Sequence, residues 1–211
     1  YDLEDGETYS DTSEEYTIRL QTVWSLAEHW SAGLQGAGNR STFYNRDMSI
    51  SGGPNIEYNF FPYSESTRRS VTLRYGVEPI YFDYTEMTVE SKETEFVARH
   101  NLVLSAAVQQ PWGTIFGSVE GIQYLNDLET HRINTFFNLE YRLFRGFTLD
   151  MRGRFSRIKD QFYLAAEGNT IEEILLQRQQ RETSWEYDIR FGITYQFGSK
   201  FANVVNPRMG G

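Results

Sequence analysis

The chain has 211 residues, no cysteine, three histidines, a formal net charge of −9 and a mean hydropathy of −0.55. Lack of cysteine removes disulfides, thiol catalysis and Cys-based metal sites, an acidic chain with no basic stripe argues against nucleic acid, and no run approaches the ~18 consecutive apolar residues of a membrane helix. Seven acids (Asp2, Glu4, Asp5, Glu7, Asp11, Glu14 and Glu15) crowd residues 1–15, which hold no Lys or Arg and leave the rest near −2.

Taken in chain order, the dominant pattern is an apolar–polar alternation with a period of two, the signature of strands with two unlike faces. Tyr16, Ile18, Leu20, Trp24 and Leu26 oppose Thr17, Arg19, Gln21 and Ser25, and a weaker run follows over 30–39. Met48, Ile50, Ile56, Tyr58 and Phe60 oppose Asp47, Ser49, Ser51, Asn55, Glu57 and Asn59. Val71, Leu73, Tyr75 and Val77 oppose Ser70, Thr72, Arg74 and Glu78; weaker runs cover 96–109 and 113–125. Ile133, Thr135, Phe137, Leu139, Tyr141 and Leu143 oppose Arg132, Asn134, Asn138, Glu140 and Arg142. Phe147, Leu149, Met151, Gly153 and Phe155 oppose Thr148, Asp150, Arg152, Arg154 and Ser156. The clearest run is the last: Trp185, Tyr187, Ile189, Phe191, Ile193, Tyr195 and Phe197 against Glu186, Asp188, Arg190, Gly192, Thr194 and Gln196. At ~3.3 Å per residue it spans ~40 Å, enough to cross a bilayer core when tilted ~40°.

Breakers at Glu28-His29, Asn39-Arg40, Pro62 to Thr67, Pro111-Trp112-Gly113, Asn126-Asp127 and Arg145-Gly146 divide these runs into nine strands. The expectation is an all-β, antiparallel up-and-down transmembrane barrel over 15–197. A soluble barrel with the apolar face inside, carrying an apolar ligand, is the alternative. It is disfavoured because nine long strands of large side chains would overfill a closed interior. The polar face also carries both charge signs in mid-strand: Arg74, Glu78, Arg99, Glu120, Glu140, Arg142, Asp150, Arg152, Arg154, Glu186, Asp188 and Arg190. These are expected to line a hydrated lumen and to pair across it. Trp185, Tyr187, Ile189, Phe191 and Ile193 are expected to face lipid. Trp24, Trp30, Tyr58, Phe60, Phe61, Trp112, Tyr141, Phe147, Tyr195 and Phe197 fall near the short turns, where an aromatic belt would meet the membrane interface.

Turn lengths alternate. Connections near 27–30, 61–67, 109–113 and 144–147 are mostly tight, whereas those near 39–47, 82–95, 125–131 and 158–183 are polar and mostly longer. Outer-membrane barrels have short periplasmic turns and long extracellular loops, which places the acidic residues 1–14 outside and the end of the last strand in the periplasm. A chain entering and leaving from the periplasm needs an even strand number, so nine implies at least one further upstream strand in the natural protein, ten or more in all. Reading 30–39 as loop instead would leave eight. No signal peptide precedes Tyr1, although an outer-membrane protein requires one. Thr170 with Glu173 forms a capping box before Ile174, Leu175 and Leu176, predicting a short helix near 171–181 in the largest loop.

Arg190, Gly192, Tyr195 and Phe197 match the polar-x-Gly-x-x-aromatic-x-aromatic signal that the barrel-assembly machinery reads on a last strand. Here Gly198–Gly211 follow it as a periplasmic or lumen-docked tail. The ending Tyr-Gln-Phe-Gly-Ser with Asn-Val-Val-Asn-Pro-Arg (195–208), together with 61–69 and Gln-Pro-Trp-Gly (110–113), resembles a family of uncharacterised barrel-type proteins of the Gram-negative outer membrane. The resemblance covers most of the chain and implies a location, but no reaction and no site residues.

Catalytic and metal chemistry find little support. His29 lies in a turn, His131 starts a strand, and His100 is five residues from Ser105, hence on the opposite face; no nucleophile–base pair follows. Glu90, Glu93, Glu95 and Asp127 read as solvated loop acids without cation-loop spacing. The expected protein is a porin-like structural or scaffolding element with narrow pore activity, not an enzyme, an outer-membrane hydrolase being the remote alternative. Its expected partners are outer-membrane lipid and lipopolysaccharide, the assembly machinery during biogenesis, and a protein in a larger membrane complex, with no cofactor, metal or nucleic acid.

Overall fold

The computed structural model describes residues 14–165 and 183–197. Nine strands follow one another along the chain: β1 (Glu15–Ser25), β2 (Trp30–Ser41), β3 (Arg46–Asn59), β4 (Arg69–Asp83), β5 (Thr94–Gln110), β6 (Gly113–Tyr124), β7 (His131–Phe144), β8 (Phe147–Lys159) and β9 (Trp185–Tyr195). Each pairs antiparallel with the next, in the order β1 to β9, so the architecture is an up-and-down sheet. The sheet is not closed: β1 and β9 are its two edges. It is curled, because one cavity of about 520 Å³ is lined by Thr17 and Arg19 of β1, Ser51 of β3, Glu78 of β4, Arg99 of β5 and Glu120 of β6.

Residues 30–39, the weakest run, form a full strand, so the eight-strand alternative is overturned. Their pattern is faint because Gly33, Gly36 and Gly38 replace larger side chains, yet Trp30 through Asn39 pair in unbroken register with β3. Three further boundaries differ from expectation. The 39–47 connection is a tight turn at 42–45 rather than a long loop, with Asn45 at positive φ. β8 runs on to Lys159, three residues past its alternating stretch. β4 continues past 78 to Asp83, through Pro79. Proline is tolerated there because β4–β5 pairing continues through Pro79 and Ala98, while the β3–β4 ladder opens between the pairs Ser51–Ile80 and Asn55–Gly76. Pro54 lies in the same opening, so neither proline deprives a paired neighbour of an N–H. The expected helix near 171–181, the tail 198–211 and most of the acidic segment 1–14 lie outside the described residues.

At one end the connections are 26–29, 60–68, 111–112 and 145–146, the second holding a 3-10 turn over Tyr63–Glu65. Outward rings gather at this short-turn end. Trp30 and Phe60 both pack on Tyr58, Trp112 on Tyr141, Phe144 on Phe147, and Tyr195 on Phe147 and Phe197. At mid-strand Phe137 lies over Gly153 on the outward face, so close that a Cβ on Gly153 would overlap the ring. Covering a strand glycine with a cross-strand ring restores apolar contact that the glycine lacks.

The β7–β8 turn depends on Gly146, at φ +82°, whose carbonyl accepts the Gln196 N–H at 2.6 Å and where a Cβ would collide with the Gln196 carbonyl. Gly146→Val is expected to lower stability by about 1–3 kcal/mol, read as a fall in the thermal unfolding midpoint followed by circular dichroism. Gly38→Ala, where a Cβ meets nothing within 4 Å, serves as the neutral comparison.

Candidate functional site: the inner face and its aromatic plug

At the long-loop end the inner face is closed by apolar and aromatic side chains. Ile80, Phe82, Tyr84, Val97, Ile122, Tyr124 and Tyr163 are buried together, with Tyr44, Phe162 and Leu164 packed against them. They alternate along β4, β5 and β6 on the same face as the charges nearer mid-strand, so the plug is built from the ends of polar-facing rows. Phe162 packs edge-on against Phe82, Tyr124 and Tyr163.

A cation sits among the rings. The β2–β3 register shifts between Asn39 and Ser41, pairing Ser41 with Arg46. Such a bulge re-aims a side chain, and Arg46 joins the inner face although its even number would place it with Met48 and Ile50 outside. Its guanidinium carbon lies 5.2 Å from the Tyr44 ring centroid, 5.2 Å from Phe82 and 4.8 Å from Tyr163. Its Nε is buried without a hydrogen-bond partner among the described residues, so ring faces supply most of its stabilisation.

Loop segments are tied over this cluster. The Asn45 amide donates to the carbonyls of Glu86 (2.9 Å) and Tyr163 (3.1 Å), and its oxygen accepts the Glu86 N–H at 2.8 Å. Thr88 bridges to Ala165, and the Val89 N–H donates to the Leu164 carbonyl at 2.8 Å. Arg132 grips Asp160 with three contacts of 2.7–3.0 Å, and that carboxylate is almost wholly buried. Lys92 bridges Glu90 (2.7 Å) and Glu95, which together hold its ammonium above the usual lysine range. The loop acids Glu90 and Glu95 are therefore ion-paired.

By register the charges that the sequence assigns to a lumen share the face of the sheet that carries the plug, but they do not pair across it. Arg99 donates to Glu78 on the neighbouring strand (2.6 and 2.8 Å), and the Ser51 hydroxyl completes that carboxylate at 2.7 Å. Glu120 accepts from the amides of Asn101 (3.2 Å) and Asn134 (3.1 Å), and Asn134 accepts the Ser156 hydroxyl at 2.9 Å. Arg190 pairs with Asp188 on its own strand (2.9 Å) and Arg142 with Glu140 on its own (3.6 Å). Arg152 reaches only the Asn138 amide oxygen at 3.3 Å, and Asp150 accepts from Thr194 at 3.4 Å. Arg74, Arg154 and Glu186 make no side-chain hydrogen bond or ion pair with any described residue. Like charges even face each other in register, Arg152 opposite Arg190 and Glu140 opposite Asp150. That arrangement costs stability in a dry interior and little in a wet one.

Sequence reasoning missed Arg46, Asp160 and the plug. The available signal was the apolar triplet Phe162-Tyr163-Leu164 inside a polar loop. Trp185, Tyr187, Ile189, Phe191 and Ile193 stand on the outward face and are exposed, as are Tyr195 and Phe197. Of the assembly-signal residues, Arg190, Gly192 and Tyr195 lie in β9, whereas Phe197 lies two residues beyond its end. His100 faces outward, between the Tyr75 hydroxyl (3.3 Å) and the Gln123 amide oxygen (3.1 Å), and Ser105 faces inward. No protein-family model matches the chain, and no curated protein matches it in sequence.

Two predictions follow from the plug. Asp160→Asn strands the half-buried Arg132 and is expected to cost about 2–4 kcal/mol. Glu140→Leu, which removes an exposed pair, is expected to cost under about 1 kcal/mol; equal unfolding midpoints for the two variants would contradict this ranking. Burial pushes the Tyr163 hydroxyl up to about 12, and burial beside Glu95 also raises Tyr84. Unfolded tyrosines ionise near 10, so stability is intact below that pH and falls as pH climbs toward 12. The midpoint measured from pH 8 to 12 should show this decline, and Tyr163→Phe should flatten it.

Proposed function

We propose that this chain forms the wall of a porin-like β-barrel in the Gram-negative outer membrane, acting as a structural or scaffolding element with at most a narrow passage. The observation carrying this reading is the polarity of the two faces in the central strands, away from the sheet edges. Outward, Leu102 (49% exposed), Leu104 (48%), Ile115 (43%) and Val119 (46%) are bare; inward, on the same strands, lie Arg99, Asn101 and Glu120, with the Glu78 carboxylate of β4 bonded to Arg99. A water-soluble barrel has the opposite arrangement. Leaving one large aliphatic side chain in water forgoes roughly 1.5–3 kcal/mol that burial would supply, and this face leaves many such side chains exposed. Hydrocarbon removes that penalty, and the satisfied backbone of a β-sheet is one of the two structures able to lie in it.

The remaining features agree. The aromatic row at the short-turn end has the place and composition of an interfacial belt. At the other end the outward face turns polar, with Arg40 paired to Asp47 at 3.2 Å and Arg157 over the Trp185 ring. The last-strand signal and the resemblance noted in the sequence point to the same membrane, with the long-loop end outside. The aromatic plug favours a barrier or scaffold over an open diffusion pore.

Detergent dependence tests this reading. The full chain is expected to stay monodisperse and heat-modifiable in octyl glucoside and to aggregate when detergent falls below its critical micelle concentration. A monodisperse, folded protein without detergent would favour the soluble, apolar-ligand barrel instead.

A further inference from the structure

A second inner cavity lies nearer mid-strand than the plug, with a volume of about 490 Å³, and runs across the wall from β4 to β8. Arg74 stands at one side of it and Arg154 at the other. Both guanidiniums are without a hydrogen-bonding partner among the described residues, whereas Arg99 and Arg132 on the same face each hold a carboxylate. The cavity's one carboxylate, Glu120, is already engaged by an asparagine amide on each oxygen. Between the two arginines the wall carries Phe116 and Phe136, packed at 5.8 Å, with the Ser118 hydroxyl beside them.

We infer that this cavity is a binding site for a small organic monoanion, an aromatic carboxylate, held between Arg74 and Arg154 with its ring over Phe116 and Phe136. Guanidinium forks bind carboxylates bidentately and more strongly than neutral donors do. A cavity that is partly enclosed lowers the effective dielectric and strengthens the attraction over its value in bulk water. The volume falls within the range of small-molecule sites, which combine an apolar lining with a few convergent polar groups. Two arginines against one glutamate leave a single net positive charge, which one carboxylate neutralises. A phosphomonoester dianion would bring a second negative charge toward Glu120, so carboxylate is the preferred headgroup. The ring floor then separates aromatic acids from acetate. The site depends on the inner face alone and not on which solvent covers the outer one.

The full chain in octyl glucoside, titrated with benzoate by calorimetry, tests this. Saturable binding is expected, with benzyl alcohol, acetate and phenyl phosphate each at least about tenfold weaker. Arg74→Gln and Arg154→Gln should each weaken benzoate about tenfold, the loss of one charge-assisted contact. Arg142→Gln, at the short-turn end and outside the cavity, should bind as the parent does. Three results would overturn the assignment: no saturable benzoate binding, benzyl alcohol or phenyl phosphate matching benzoate, or a folded Arg74→Gln/Arg154→Gln double variant that retains full affinity. The ligand series on the unaltered chain decides the matter even where a variant fails to fold. Absence of benzoate binding would leave the detergent result untouched, and the converse also holds.

Discussion

Side chains on a strand alternate between two faces, so a chain that must meet unlike surroundings on those faces has its register fixed by them. Shifting any strand by one residue would carry Arg74, Glu78 and Arg99 to the outward surface and Leu73, Tyr75 and Leu102 to the inner one. No local adjustment repairs such an exchange, since every residue of the strand moves together. The placement of the turns, the direction of the plug and the sites of the charges all inherit this single constraint. It also explains how a chain with mean hydropathy of −0.55 can present a strongly apolar surface. Averaging over neighbours cancels what alternation separates.

Much of the fold was therefore legible from the chain alone. Strand number and the division of each strand into an apolar and a polar face need only a period of two, and the period is faintest in β2, where Gly33, Gly36 and Gly38 interrupt it. The site was legible in part. What escaped were features made by breaking the period or by bringing distant segments together. Arg46 reaches the inner face through a bulge, and a bulge depends on a two-against-one match with another strand that neither strand declares. Asp160 reads as a loop acid until Arg132, on β7, is placed beside it. Tyr44, Phe82, Tyr124 and Phe162 come from a turn, two strands and a loop, with no common spacing. The expectation of charges joined across the interior failed for a related reason. Arg and Glu side chains find partners on adjacent strands well before they can span a lumen.

The interior consequently has two zones. Near the long loops it is close-packed, and of the two cations there Arg46 is accommodated by ring faces whereas Arg132 holds the Asp160 carboxylate. Toward mid-strand it is polar, with like charges in register and with Arg74, Arg154 and Glu186 unpartnered among the described residues. A bonded polar set marks the boundary between them, the Glu78–Arg99 ion pair completed by the Ser51 hydroxyl.

The side-chain bonds that join Ser156 to Asn134, and Glu120 to Asn134 and Asn101, link β5, β6, β7 and β8 in turn, directly across from β8 to β6 and on a two-residue diagonal from Glu120 to Asn101. Backbone ladders hold neighbouring strands together, yet they repeat every two residues, so a slide of two positions re-forms nearly all of them. The transverse chain does not repeat. It works as a cooper's hoop does around staves, locking four strands in one relative register and making any sliding of one past another break bonds that no alternative alignment can restore.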